Sequence, residues 1–344
     1  MTSVLGGPPA LAGGLRSWEG IMTSDEYNES VQAHNRKWKG GKLAAKHEVG
    51  FLVGADRDAW DDFVDAFQGG LELLGWLDKI HINPVYAGGK RQKYKDTAEE
   101  LEHSEIIVTA GTEPAKAAIQ VIQAEGWNIP LVVASAADTG PTGTVKVTGF
   151  LNGQVDYARD RFKEFRKAVT PDDRLKNMGI LANIDAKNAK DEQDEVWAAA
   201  TLVDPVRICI KDGEDGETIK AKIGHAVTEQ GVKSLYVCTD PLITLNRKPI
   251  NVAAHRYKLP TMYQFRDHVV QNGGYGLMSY GPNFDQMFRD AAALVVLYLS
   301  QNQLLPIRTV SPSQLELVWN RKTAEDYLEP PLSLPDHFKG VIID

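Results

Sequence analysis

From His47 onward, short apolar runs alternate with amphipathic segments, and this alternation is the feature that most constrains the fold. The first runs are "EVGFLVG", "HINPVY", "SEIIVTA" and "IPLVVAS". Between the first two, from Asp58 to Trp76, apolar side chains recur about one helical turn apart, which predicts a helix with one buried face. Strands that alternate with helices form a parallel sheet covered by helices on both faces. This part of the chain therefore predicts an α/β unit.

A second series of the same kind follows the segment "VTGFLNGQVDYARDRF". Its apolar runs are "NMGILAN", "VRICI", "KSLYVCTD" and "LPTMYQF", separated by predicted helices over 187–199, 217–230 and 246–257. The chain continues with "YGLMSYG", a long predicted helix over 284–300, "QLELVWN" and a short predicted helix over 322–327. Two α/β units in tandem, with late crossings between them, favour two lobes over one wide sheet.

Charge and apolar content limit the classes of protein to which the chain can belong. Its 344 residues are 43% hydrophobic, enough for about two globular domains. The formal net charge of -8 has the wrong sign for a protein whose main work is to bind nucleic acid phosphates, so no nucleic acid partner is predicted. The sequence contains no apolar run of the roughly 18 residues that a membrane helix needs, and no secretory signal is visible. As written, the chain is expected to stay inside the cell, with residues 1–46 as a loosely held extension.

Residues directly after the apolar runs are the candidate binding residues, because ligands of open α/β sheets bind outside the carboxyl ends of the strands. These positions are rich in hydroxyls, amides and aromatic rings, and poor in nucleophiles with a base beside them. They include Gly111, Thr112, Asp138, Asn183, Asp240, Ser279 and Tyr280. The pattern favours a site that holds a ligand over a catalytic site.

The stretch "TAGTEPAKAAIQ" places Gly111 and Thr112 at the start of a predicted helix, with Thr112 as its N-cap and Pro114 in the first turn. Free backbone N–H groups at such a helix start can hold the carboxylate of a ligand. The alternative is that Thr112 only caps its own helix. Glu113 weakens the binding interpretation, because it puts a negative charge beside any bound anion.

Asp240 follows a predicted strand and precedes Pro241, which is a rigid position from which to present a carboxylate to an ammonium group. The alternative is an aspartate that caps a helix or shapes a turn.

Sequence motifs for other chemistries are incomplete or absent. The stretch "GGYGLMSYGPN" has Ser279 where a dinucleotide loop needs its third glycine, and Leu277 where a hydrolase elbow needs its first. "AGGKRQK" lacks the spacing of an ATP-binding loop, and neither the histidines nor the cysteines have metal-ligand spacing. Cys209 and Cys238 lie in apolar runs and are predicted to be buried core thiols. No metal, cofactor or catalytic residue is expected.

Three segments together resemble the substrate-binding components of ABC transporters in the tryptophan-binding-protein-like family. They are "LYVCTDPLIT", "AAHRYKLPTMYQFRDHVVQNGGYGLMSYGPNFDQMFRDAAALVVLYL" and "LELVWNRKTAEDYL". The earlier "GFLVG", "AFQGGLELLGW", "IIVTAGTEPAKAAI" and "VKVTGFLNG" fit the same pattern in the same order. The resemblance covers about His47 to Leu328, and its most specific part is the "GGxxxMSYGPN" block followed by a helix and "LVWNRKTAE".

This resemblance implies a two-lobed type I periplasmic-binding fold, in which each lobe is a parallel sheet flanked by helices and three crossovers form the hinge. The implied lobes are 47–152 with 281–312, and 153–280 with 313–344. A small solute, an amino acid or a related molecule, would be trapped between the lobes without chemistry, and the chain would be a monomer that serves ABC permease subunits if it is exported. In the implied site, Gly111 and Thr112 hold the ligand carboxylate and Asp240 meets its ammonium. The rest of the polar wall would be Asp138, Thr148, Asn183, Ser279 and Tyr280.

Two departures from the family pattern keep alternatives open. The family works in the periplasm, whereas no export signal is visible here, so a cytoplasmic ligand sensor on the same scaffold is an alternative. The chain reads "AADTGPTG" where the family usually carries Asp-Pro, which leaves the role of Asp138 and the class of ligand open. A hydrolase using Ser279 is a weaker alternative, because it needs a histidine and an acid beside the serine; His255 and His268 are the nearest in sequence.

Overall fold

A computed structural model of the protein describes residues 46–54, 57–169, 173–200, 202–270, 276–311, 314–335 and 338–343. Residues 1–45 of the predicted extension lie outside these ranges. Gly273 and Gly274 of the incomplete nucleotide motif also lie outside them. The part from Lys46 to Asp344 forms one compact unit.

The described residues form two series of alternating strands and helices, as the periodicity predicts. The strands are β1 (His47–Val53), β2 (Ile80–Tyr86), β3 (Ile106–Ala110), β4 (Leu131–Ala136), β5 (Val147–Leu151), β6 (Met178–Asn183), β7 (Val206–Ile210), β8 (Ser234–Val237), β9 (Thr261–Tyr263), β10 (Met278–Pro282), β11 (Arg308–Thr309), β12 (Leu315–Asn320) and β13 (Val341–Ile343). The helices are α1 (Arg57–Leu73), α2 (Tyr94–Glu99), α3 (Thr112–Ala124), α4 (Ala158–Val169), α5 (Lys187–Ala199), α6 (Gly216–Gln230), α7 (Pro241–Leu245), α8 (Arg247–Arg256), α9 (Asp267–Val270) and α10 (Phe284–Gln301).

The strands divide between two sheets. The first sheet has the order β11-β5-β4-β3-β1-β2, and all of its neighbouring strands are parallel. The second has the order β13-β12-β10-β9-β8-β6-β7, and only β10 and β12 are antiparallel neighbours. This is the predicted α/β class, with two parallel-dominated sheets flanked by helices.

The chain passes between the sheets three times: after β5, after β10 and after β11. Three crossovers between two sheets match the two-lobed architecture that the sequence predicts. The exact lobe boundaries stay a prediction. At one of them, β10 keeps Gly281 and Pro282 in the second sheet, two residues beyond the predicted boundary.

Aromatic rings fill the space between the first sheet and its helices. Phe288 of α10 is fully buried and stacks against Phe51 of β1 and Phe63 of α1, with ring centroids 5.9 and 5.3 Å apart. The core of the second lobe contains the buried Trp319 and Tyr236. Each sheet therefore has its own apolar core, which lets it behave as one lobe.

Gly149 of β5 shows why one position in the first sheet needs glycine. Its φ is 130°, and a Cβ built there would lie 2.0 Å from the carbonyl oxygen of Val133 on the neighbouring β4. The backbones of the two strands approach too closely for any side chain at this position.

Six of these elements were not expected from the sequence: β5, α4, α7, α9, β11 and β13. Helix α4, "ARDRFKEFRKAV", is so rich in charge that its apolar stripe, which includes Phe162 and Phe165, is short. The expectation that Ser279 and Tyr280 end a strand was wrong, because pairing with β12 extends β10 to Pro282.

Both cysteines are free thiols, of which Cys238 is buried and Cys209 half-buried. None of the helices in the described ranges is long and apolar enough to cross a membrane.

Candidate functional site

A cavity of about 580 Å³, which includes the solvent at its mouth, lies where the carboxyl ends of strands from both sheets meet. Residues of both lobes and of the crossovers line it: Arg91, Gly111, Thr112, Glu113, Ser135, Ala136, Ala137, Asn152, Gln154, Ala186, Lys187, Asn188, Ala189, Thr239, Asp240, Pro241, Thr244, Phe265 and Phe284.

Thr112 does not cap α3 as the sequence predicts. Gly111 is the N-cap, with a φ of 94°, and Thr112 is the first helical residue. The Thr112 hydroxyl instead accepts hydrogen bonds from the backbone N–H of Ala137 at 3.1 Å and from Nδ2 of Asn188 at 2.9 Å. Because Asn188 belongs to α5 of the second lobe, this hydroxyl joins the two lobes across the cavity.

Asp240 is both a helix cap and a cavity residue. Its Oδ1 accepts hydrogen bonds from the backbone N–H of Leu242 at 2.9 Å, as the N-cap of α7, and from Nδ2 of Asn183 at 3.0 Å. Its Oδ2 has a longer contact, 3.4 Å, with Nη2 of Arg91. Burial raises the pKa of Asp240, against the hydrogen bond from Asn183 and the charge of Arg91, which lower it. Oδ2 is therefore the less well satisfied oxygen of a buried carboxyl group.

Arg91 is a cavity residue that the sequence reading missed. It follows β2 in a single 3-10 turn, and its Nε lies 2.7 Å from Oδ2 of Asp212, in the loop after β7. Its guanidinium also lies 3.4 Å from Asp240 and 3.7 Å from Glu113. Arg91 stands in the loop "AGGKRQK", which lacks the spacing of an ATP-binding motif and was not predicted to line a site. Its position just past the run "HINPVY" is the signal that would have found it.

The other predicted site residues are distributed unevenly. Asn183 lies just behind the cavity, where its Nδ2 donates to Asp240 and, at 2.7 Å, to Oδ1 of Asp212. Asp138 lies outside the cavity lining; its Oδ1 is 3.0 Å from Nζ of Lys116. Burial acts to raise the pKa of Asp138, but hydrogen bonds, first of all that from Lys116, lower it overall.

Thr148, Ser279 and Tyr280 do not line the cavity. Thr148 and Ser279 are each 1% exposed, and neither hydroxyl has a hydrogen-bond partner among the described residues. Tyr280 is half-buried against the core of the second lobe. Within the described ranges, no histidine donates to or accepts from the Ser279 hydroxyl, as the triad of a serine hydrolase would require.

A buried polar network supports the cavity from the second lobe. Nη1 of Arg161 lies 2.7 Å from Oε1 of Glu192, and both side chains have no exposed surface. Oε2 of Glu192 accepts hydrogen bonds from Nε2 of Gln154 and from the backbone N–H of Thr239, each at 2.9 Å. Because Gln154 and Thr239 line the cavity, the ion pair fixes part of its wall. The sequence reading missed this pair, since nothing local marks its partners.

The apolar part of the cavity wall comes from two phenylalanines. Phe265 follows β9 and Phe284 begins α10, and their ring centroids are 4.5 Å apart. The polar part of the wall includes Ser135 and Asn152, and Nδ2 of Asn152 donates a hydrogen bond to the Ser135 hydroxyl at 3.2 Å. The cavity can therefore hold a small molecule that has both polar groups and an apolar part.

No protein-family model matches the sequence, and no curated protein matches it. Solved structures match the fold. The ABC domain in complex with L-Trp from Streptococcus pneumonia has a TM-score of 0.69 at 19% identity, over 86% of this chain and 100% of that one. The ligand-free, open structure of CD0873, a substrate binding protein with adhesive properties from Clostridium difficile, has a TM-score of 0.57 at 19% identity, over 87% and 99%. GanP, a glucose-galactose binding protein from Geobacillus stearothermophilus, has a TM-score of 0.58 at 11% identity, over 80% and 98%. With its two sheets, three crossovers and intervening cavity, the chain has the two-lobed type I periplasmic-binding fold of ABC-type solute-binding proteins.

Proposed function

We propose that the chain is the solute-binding component of an ABC import system and traps one small solute between its lobes without chemical change. The observation that carries this proposal is a cavity lined from both lobes of a type I periplasmic-binding fold. Two lobes joined by three crossovers can close around a ligand by a hinge motion. A closed cleft between two lobes encloses most of the surface of a small bound molecule.

The solute that fits the wall best is a zwitterion, such as an amino acid or a related molecule. Oδ2 of Asp240 is a buried acceptor with only a 3.4 Å contact, and it suits an ammonium group. From the other lobe, the first turn of α3, which begins at Thr112, presents N–H groups that have no partner within the helix, together with the positive end of the helix dipole; the N–H of Gly111 already donates to the carbonyl oxygen of Ser135 at 2.6 Å. These groups suit a carboxylate. Asn183 and Asp138 act indirectly, by positioning Asp240 and the cavity rim.

A sugar is the second candidate solute. Amide groups of Asn152, Gln154 and Asn188 line the cavity together with the rings of Phe265 and Phe284. Amides bind hydroxyl groups, and aromatic rings pack on the apolar faces of sugars. GanP, which has the same fold, is named as a glucose-galactose binding protein.

The partners of the chain follow from the same role. A solute-binding component delivers its ligand to ABC permease subunits, and it does so outside the cytoplasmic membrane, as a monomer. A ligand sensor on the same scaffold would bind the same solute and act through a different protein partner.

A thermal-shift screen of the purified chain against amino acids, sugars and small carboxylates tests the proposal. A ligand at about 100 times its Kd stabilises the bound form by about 2.7 kcal/mol, which shifts the melting temperature measurably. Calorimetry then gives the affinity of Asp240→Asn, in which asparagine can still cap α7. We expect this variant to lose at least tenfold in affinity for an amino acid, about 1.4 kcal/mol, because the ammonium loses its charged partner.

Glu195→Gln is the matched control, because Glu195 pairs with Arg159 on the surface of the second lobe and lies outside the cavity lining. Its affinity should equal that of the unaltered chain. Equal affinity in Asp240→Asn would contradict the amino-acid assignment. Stabilisation by sugars alone would favour the second candidate, and silence across the panel would contradict the solute-binding role for these classes.

A further inference from the structure

Arg91 connects the two lobes across the cavity. It lies between β2 and α2 of the first lobe, whereas Asp212 and Asp240 follow β7 and β8 of the second. The shortest contact, 2.7 Å from Nε to Asp212, and the 3.4 Å contact to Asp240 both cross from one lobe to the other. Among the residues that the structure describes, Glu113, at 3.7 Å, is its ion-pair partner from the same lobe.

The two carboxylates of the second lobe are built as a pair. Nδ2 of Asn183 donates to Oδ1 of both Asp212 and Asp240, at 2.7 and 3.0 Å, and the backbone N–H of Leu242 fixes Asp240 further. Two carboxylates held side by side repel each other unless a cation lies between them. The second lobe thus carries a preformed site for a cation, and the Arg91 guanidinium occupies it.

Burial differs across this site: the side chain of Asp240 is 3% exposed and that of Arg91 23%, whereas that of Asp212 is 34% exposed. The contact between Arg91 and the buried Asp240 is therefore screened less by solvent than a pair at the surface. The hydrogen bond between Thr112 and Asn188 crosses the cavity beside it.

On the basis of the solute-binding role proposed above, we propose that Arg91 is a latch. Its guanidinium occupies the Asp212–Asp240 cation site and closes the lobes, in competition with the cationic group of a solute. The distances indicate which contact yields. Arg91 is held tightly by Asp212 and loosely by Asp240, so a solute ammonium can take Asp240 while Arg91 keeps Asp212 and Glu113. Closure then does not require a solute, and a solute without a cation leaves the latch engaged.

Two measurements test the latch, and neither uses an amino acid or a sugar. In the first, dyes on cysteines introduced at the exposed residues Glu99 and Glu229, one in each lobe, report lobe closure by single-molecule energy transfer, in a Cys209→Ser background. We expect the purified chain to show a closed population that falls at least threefold in Arg91→Met. Arg91→Lys, which keeps the charge but loses the planar fork, should give an intermediate value.

The matched control is Arg159→Met, because Arg159 pairs with Glu195 inside the second lobe and crosses no cavity. It should leave the closed population unchanged. If Arg91→Met and Arg159→Met give the same distribution as the unaltered chain, the latch is refuted.

The second measurement asks whether the cation site exists apart from Arg91. In Arg91→Ala, guanidinium chloride at millimolar concentration should raise the melting temperature by occupying the vacated site. The unaltered chain, and Arg91→Ala combined with Asp212→Asn, should show no such rise. A rise in all three, or in none, would overturn the proposed site. Failure of amino acids to bind would contradict the proposed function while leaving both results intact.

Discussion

The buried ion pair of Arg161 and Glu192 gives the sharpest stability prediction. Both side chains are fully buried, and the guanidinium also donates hydrogen bonds to the Tyr236 hydroxyl at 2.8 Å and to the carbonyl oxygens of Tyr280 and Gln154 at 2.8 and 3.3 Å. Removing one partner of a buried pair leaves an uncompensated charge, which costs about 3–5 kcal/mol. We therefore expect Arg161→Met and Glu192→Leu each to lower the free energy of unfolding by about 4 kcal/mol.

The double variant separates the charge effect from simple loss of packing. Arg161→Met with Glu192→Leu leaves no unpaired charge, so its loss should be no larger than that of either single variant and well below the roughly 8 kcal/mol that additive losses would give. Urea unfolding followed by circular dichroism measures these differences. Additive losses, or single-variant losses below about 1 kcal/mol, would refute the reasoning.

The pH dependence of Arg161→Met supplies an independent check. Burial raises the pKa of Glu192, and the Arg161 charge opposes that rise. Without Arg161, the carboxyl group binds its proton more tightly in the folded state than in the unfolded state. Its contribution to stability is then present at low pH and is lost as pH rises through the folded pKa. The deficit of Arg161→Met should therefore be smaller at pH 5 than at pH 8.

The network also ties the crossovers to the cavity. Arg161 holds the carbonyl oxygens of Gln154, in the crossover after β5, and of Tyr280, in the strand that precedes the next crossover. Glu192 holds the Gln154 side chain and the Thr239 backbone at the cavity wall. One buried pair thus positions residues of the hinge and of the site together.

Three further predictions concern single positions. Gly149→Ala should lower the free energy of unfolding by about 3 kcal/mol or more, because the new Cβ would lie 2.0 Å from the Val133 carbonyl oxygen. Gly75→Ala is the control: its φ is 67° and nothing lies within 4 Å of the new Cβ, so it should cost only about 1 kcal/mol. Equal losses in urea unfolding would contradict the clash. Burial raises the pKa of Asp290 to about 7, so the stability that its protonation contributes is complete below about pH 4 and is lost as pH rises toward 7. Asp290→Asn should remove this pH dependence, which amounts to up to about 4 kcal/mol, when unfolding curves of both proteins are measured across pH. Phe288→Ala should lower stability by about 3–5 kcal/mol in the same assay, since the ring is fully buried; a loss under about 1 kcal/mol would mean that the core refills the space.

Periodicity in the sequence was sufficient to predict the α/β class, the two series of elements and most strand positions. The apolar runs that form β1, β3, β6 and β12 are local signals, because side chains alternate or recur within one element. Charged helix α4 and two-residue β11 carry too weak a local pattern to be predicted in the same way.

Choosing the residues that follow predicted strands selected part of the cavity lining for the same reason. Gly111, Thr112 and Asp240 follow predicted strands, and the structure places all three in the cavity wall. The same choice included Ser279, which pairing between β10 and β12 buries inside the sheet.

Only the tertiary structure decided which groups meet across the cavity. Arg91 and Asp240 are 149 residues apart in the chain, and Thr112 and Asn188 are 76 apart, so no local pattern links them. Sequence periodicity reports which face of an element is buried, whereas the partners of a side chain depend on the register of two sheets and on the crossovers between them. The chain by itself therefore determined a two-lobed α/β fold, and the folded structure alone determined that an arginine of one lobe pairs with the carboxylates of the other.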